Sequence, residues 1–172
     1  MAIVSAYTII RALALFHLTL AVFLLRDPRV IAEQNIVFSL GQAMHLVTHT
    51  REFLKPSATT AFVAILFAFL GLSDLTALSM SEEATESYWG TQTPVRLAFL
   101  FGLTGYSYAF KQGGMFGSTG GGAGDYLKNS VVFSFGFFEL SIYFWVFVTL
   151  RDERRQRTIR LLEKRKAEEN ML

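Results

Sequence analysis

Four apolar stretches dominate the chain: Ala6–Leu25, Thr59–Met80, Thr91–Phe110 and Val131–Leu150. At about 1.5 Å of helix per residue, each is long enough to cross the roughly 30 Å of hydrocarbon in a bilayer. The pattern predicts an all-α, polytopic membrane protein with four transmembrane helices. Within these stretches lie Arg11, His17, Asp74, Arg96 and Glu139. A charge at bilayer depth costs about 2.5 kcal/mol or more on insertion scales, so each of these residues calls for a partner, a cavity or a site.

The first connection, Arg26–Ala58, is patterned rather than loop-like. On a helical projection Val30, Ala32, Ile36, Val37, Leu40, Ala43, Met44 and Val47 gather on one side. Gln34, Asn35, Ser39, Gln42 and His45 lie largely opposite, with Phe38 and Leu46 as exceptions. An amphipathic helix between the first two strong spans fits this best, lying in the interface or packed on the bundle. A fifth span is the alternative, opposed by the cost of Glu33, Gln34 and Asn35 in lipid. Pro56 and Ser57 then mark the entry to the second strong span.

The second connection, Ser81–Gly90, holds Glu82, Glu83 and Glu86 and no basic residue. Tyr88 and Trp89 follow, ring types that favour the membrane–water boundary. The third contains the glycine-rich run from Gly113 to Gly124. It lacks the Lys-Ser/Thr ending and the preceding strand of a phosphate-binding loop, which favours a flexible surface loop. After Leu150 the chain turns charged, and the last span is expected to continue as a solvated helix. Residues 1–150 thus form a helical bundle and residues 151–172 a charged tail.

Composition sharpens this picture. Apolar residues make up 52% and charged residues 17%, and thirteen of the thirty charged residues lie between Arg151 and Glu169, leaving the body strongly apolar. The net charge of +2, with its basic residues mostly in the tail, gives the body no footprint for direct nucleic-acid binding. Cysteine is absent, which removes disulfides, thiolate metal sites and catalytic thiols. The apolar start has no basic n-region and runs on to Leu25, so it reads as a retained span rather than a cleaved signal. The eight basic residues of the tail argue for a cytoplasmic tail, and four spans then place the N-terminus on the same side. Arg26, Arg29, Arg51 and Lys55 on the far side weaken that rule.

Asp74 and Arg96 sit in consecutive spans on either side of the short acidic loop, at similar expected depth. A salt bridge between them would offset much of the insertion cost of each. It reads either as a structural pair fixing helix register or as part of a proton or ion relay. With four spans, Arg11 falls in the same layer, and His17 and Glu139 lie nearer mid-membrane in the first and last spans. Tyr143, one turn from Glu139, could hydrogen-bond it. Ala61, Ala64, Ala68 and Gly71 form a narrow small-residue face, a surface for close helix packing. A single His and Glu are too few ligands for a metal site, and His45 with His49 lacks an acidic helper. No catalytic, cofactor or metal residues are assigned, and the expected partners are the bilayer and other membrane protein subunits.

Several strings are distinctive: RALALFHL (Arg11–Leu18), FLGLSDLTA (Phe69–Ala77), YWGTQTPVR (Tyr88–Arg96), GGMFG (Gly113–Gly117), LKNSVVF (Leu127–Phe133) and FVTLRDERR (Phe147–Arg155). Together, over about residues 5–155, the chain resembles the fungal "increased loss of mitochondrial DNA" protein family. That resemblance implies a small endoplasmic-reticulum membrane protein whose loss harms mitochondrial genome maintenance, directly or indirectly. It brings no catalytic motif. The expected function is therefore a non-enzymatic membrane factor, a subunit, assembly aid or adaptor. A small channel or transporter using the membrane-embedded charges is the alternative. Arg154-Arg155-Gln156-Arg157 also looks like an arginine-based retrieval signal, although a basic stop sequence explains it equally well.

Overall fold

The computed structural model describes residues 4–47, 55–111, 113–117 and 122–169. The described residues form α1 (Ala6–Arg26), α2 (Arg29–Ala32), α3 (Asn35–Ala43), α4 (Ala58–Ala77), α5 (Glu82–Ala109), a short 3-10 helix (Ala123–Leu127) and α6 (Ser130–Glu169). No strand occurs among them, only one isolated parallel bridge between Val47 and Asn129.

Three of the four long helices start where local chemistry dictates. At α4, Ser57 Oγ accepts from the Thr60 backbone N–H at 3.1 Å and Thr60 Oγ1 accepts from the Ser57 N–H at 2.8 Å. This reciprocal box satisfies two donors that a helix start would leave orphaned. Glu82 and Glu83 open α5, where carboxylates complement the helix dipole. Asn129 Oδ1 accepts from the Val132 N–H at 2.9 Å and secures the start of α6. For α1 the acid comes from afar: Glu153 Oε1 accepts from the Ala6 N–H at 3.1 Å.

The helices pack as two principal pairs, α1 with α4 and α5 with α6, while α6 also meets α1 and α3. One core cluster gathers Ala6, Ile10 and Leu13 of α1, Ala77, Trp89 and Leu100, and Tyr143, Val146 and Leu150 of α6. A second joins Ala21, Leu24 and Ala64. Within the expected packing face, Ala64 and Gly71 are buried and Ala61 and Ala68 are half-buried. A Cβ added at Gly71 would stand 2.8 Å from the Ala14 carbonyl oxygen, so the absent side chain is what lets α4 lie close to α1.

Three helices are long and apolar enough to cross a membrane: α1, α4 and the first half of α6. The fourth expected span, Thr91–Phe110, lies in α5, which is continuous for 28 residues but does not join those three. Gln92, Thr93, Pro94 and Arg96 lower its hydropathy. Pro94 also removes the donor for the Gly90 carbonyl, yet the helix runs through it.

The connection between α1 and α4 differs from the single amphipathic helix expected there. It holds two short helices, broken at Glu33 and Gln34. Ala32 and Val37 pack against Val131 in a small third cluster. Val30, Ile36 and Val47, placed on the same predicted face, are 38%, 60% and 60% exposed. One continuous buried apolar stripe therefore does not run through this connection.

Candidate functional site

The polar residues of the apolar helices assemble at the seam between the two helix pairs. Asp74 of α4 and Arg96 of α5 meet in a two-pronged ion pair, Nη2 to Oδ1 at 2.6 Å and Nη1 to Oδ2 at 2.8 Å. Asp74 is 1% exposed. Planar guanidinium and carboxylate groups matched in this way form a strong, directional contact. Arg96 Nη1 also donates to the Tyr143 hydroxyl of α6. Its guanidinium carbon lies 5.2 Å from the Trp89 ring centroid and 5.3 Å from that of Tyr143. The charge is thus neutralised by one acid and covered by two aromatic faces. Tyr143, one turn from Glu139 and able by its spacing to hydrogen-bond it, accepts from Arg96 instead.

His17 of α1 and Glu139 of α6 form the second contact, Nε2 to Oε1 at 2.9 Å, with side-chain exposures of 0% and 3%. Phe67 of α4 stacks on the imidazole with centroids 5.7 Å apart. His17 Nδ1 is buried without a hydrogen-bond partner. The two contacts share α6, where Glu139 and Tyr143 are one helical turn apart. Together they tie α1 and α4 to α5 and α6 at two levels.

Arg11 takes no part. It is exposed on the outer side of α1, so a common layer of interacting charges with Asp74 and Arg96 does not form. His49 and Arg51 lie outside the described residues, as do residues 118–121 of the glycine run. His45 is exposed and turns the chain at φ 50°. Among the described residues, no three His, Asp or Glu side chains converge as metal ligands.

A third cluster lies beyond the apolar helices. Arg157 of α6 donates to Glu82 and Glu86 of α5, and Arg154 Nε lies 3.2 Å from Glu86 Oε1. Arg154 also donates to the Glu86 backbone carbonyl. The acidic loop and the basic tail therefore bind one another, and the start of α1 joins the same end through Glu153. At the opposite end, Lys111 donates to the Met44 carbonyl and Ser130 N–H donates to Val47 O at 3.1 Å, fastening α3 to the bundle.

Sequence reasoning missed the Glu153 contact, the Arg154–Glu86–Arg157 cluster and the role of Tyr143 beside Arg96. Opposite charge between loop and tail was visible, but nothing local specified which residues would meet. All of this defines a helical protein of membrane type, stapled by a buried ion pair and a buried histidine–glutamate contact.

Residues 4–160 match the family described as "Increased loss of mitochondrial DNA protein 1", and the chain belongs to that family. It is similar to "Protein ilm1" of Schizosaccharomyces pombe, 28% identical over 165 residues that cover 92% of this chain and 89% of that protein. It is also similar to "Protein ILM1" of Saccharomyces cerevisiae, 30% identical over 146 residues that cover 85% of this chain and 64% of the relative. No solved structure matches.

Proposed function

We propose that the protein is a non-enzymatic, multi-pass factor of the endoplasmic-reticulum membrane, in which α5 crosses beside the three more apolar helices. It acts as a subunit, assembly aid or adaptor, and its part in mitochondrial DNA maintenance, which the family name suggests, is indirect. One observation carries this reading: the buried charges are consumed in separate, short-range contacts between helices rather than strung along a path. Asp74 and Arg96 satisfy each other, and Tyr143 and Trp89 close the guanidinium off. A transport route needs polar groups that can exchange partners along its length. Placement in the endoplasmic reticulum draws on the family resemblance. The arginine-based retrieval reading gains little, because Arg154 and Arg157 are already engaged by Glu82 and Glu86.

Isolation of the native protein in mild detergent tests the proposal. Stoichiometric membrane protein partners are expected. A purified protein that is monomeric and brings no partner in stoichiometric amount would overturn the adaptor reading.

A small proton or ion pathway is the second reading. His17 Nδ1, buried and unpartnered beside Glu139, is the observation that favours it.

A further inference from the structure

The run Arg154-Arg155-Gln156-Arg157 is followed at once by Thr158, the one serine or threonine in the charged tail beyond Leu150. Thr158 is also the one serine or threonine of the whole chain with a lysine or arginine three positions before it, Arg155. We propose that Thr158 is a phosphorylation site for a protein kinase that recognises arginine on the amino side of its target. The phosphate then loosens the ion-pair cluster between α6 and the start of α5.

The hydroxyl is accessible. Residues 158–169 are exposed throughout and make no hydrogen bond or ion pair to the bundle among the described residues. Thr158 Oγ1 donates to the Arg154 carbonyl one turn back, at 3.1 Å. A helix end held by no tertiary contact opens at little cost, so the segment can be drawn out as an extended substrate strand. Arg155 is exposed and pairs with no acid among the described residues, which leaves it to the carboxylates of a kinase cleft. Those carboxylates also substitute for Glu82 and Glu86 on Arg154 and Arg157, because exposed ion pairs exchange easily. Ile159, next after the acceptor, is 45% exposed and offers an apolar contact beside it. A tail on the cytoplasmic side, as its basic residues predict, meets both the kinase and ATP. The Thr158 oxygen attacks the γ-phosphorus of ATP, the bond from that phosphorus to the bridging oxygen breaks, ADP leaves, and the hydroxyl proton passes to the carboxylate base of the kinase.

The new group brings about −1.5 to −2 charges to a position one helical turn after Arg154 and adjacent to Arg157. In the unmodified protein Arg154 Nε lies 3.2 Å from Glu86 Oε1, and Arg157 donates to Glu82 and Glu86. The phosphate competes with Glu86 for Arg154 and repels both glutamates. The first turns of α5 therefore lose their hold on the tail.

The full chain, purified in mild detergent, is incubated with ATP and the catalytic subunit of cyclic-AMP-dependent protein kinase, an enzyme with an acidic substrate cleft. Phosphopeptide mapping by mass spectrometry should find stoichiometric phosphate on Thr158. Thr158→Ala should abolish it, Thr158→Ser should retain it, and Arg155→Ala should slow it about tenfold, the loss of one charge-assisted contact. Both positions are exposed in the tail, so these variants should fold as the parent does. Amide hydrogen exchange over residues 85–88 should become about threefold faster on phosphorylation, the loss of one exposed ion pair. Protein isolated from cells under phosphatase inhibition should carry the same phosphate. No incorporation, or incorporation that persists in Thr158→Ala or ignores Arg155→Ala, would overturn the site. Thr158 found wholly unmodified in the cellular protein would overturn its use in cells, and unchanged exchange after full phosphorylation would overturn the loosening of α5.

Discussion

Separating Asp74 from Arg96 should destabilise the protein more than any comparable surface change, and unequally from the two sides. Asp74 is 1% exposed and has Arg96 as its cationic partner. Arg96→Gln strands that carboxylate, and removal of one member of a buried pair costs about 3–5 kcal/mol. Asp74→Asn leaves the guanidinium with the Tyr143 hydroxyl and two aromatic faces. Cation–π contacts of about 1 kcal/mol or more should hold its cost to the lower end of that range. The double variant should lose less than the sum of the singles, leaving a coupling energy of about 2 kcal/mol. Exchanging the residues should recover only part of the loss, because the guanidinium would leave Trp89 and Tyr143. Thermal unfolding of the four variants in one detergent is the assay. For a chain of this size about 3 kcal/mol corresponds to a fall in Tm of roughly 6–12 °C. Strictly additive losses, or an Arg96→Gln variant as stable as the parent, would refute the partnership.

Other expectations follow from the same geometry. Tyr143→Phe should cost about 1 kcal/mol, the worth of one hydrogen bond, and should lower Tm by only a few degrees. His17→Leu strands Glu139 and should cost about 3 kcal/mol or more, whereas Glu139→Gln keeps a hydrogen-bonding partner and should cost less, as read by unfolding in detergent. Gly71→Ala forces a contact of 2.8 Å with the Ala14 carbonyl and should destabilise, while Gly102→Ala meets nothing within 4 Å and should stabilise by up to about 1 kcal/mol. Arg157→Ala removes exposed ion pairs to Glu82 and Glu86, so it should cost about 1 kcal/mol or less and matter less at high salt.

Long-range order was legible where bilayer physics forces it. A twenty-residue apolar helix with one acid, followed by a short turn and another helix with one base, leaves few ways to arrange Asp74 and Arg96. The matching depth of His17 and Glu139, each about midway along its apolar stretch, was legible; that they touch came only from the packing of α1 against α6. Lateral direction was not legible. Arg11 shares a helix with His17, yet the two differ by about 240° around the axis at 3.6 residues per turn, and only one faces protein. Helix breaks were also hidden: the apolar positions from Val30 to Val47 fit one projection, yet the chain there forms two short helices that both pack on Val131. The Glu153 contact with α1 joins residues 147 apart, which no local rule can find.

The proposed role, in which the buried polar contacts tie helices together and conduct nothing, is open to one direct measurement. The purified full-length protein, reconstituted into liposomes loaded with a pH-sensitive dye, is given an ion or proton gradient and compared with empty liposomes. Flux should match the empty liposomes, because His17–Glu139 and Asp74–Arg96 are closed contacts between helices. Flux above that level, lost on Glu139→Gln or His17→Leu in variants that still insert and fold, would contradict it and make the protein a pathway.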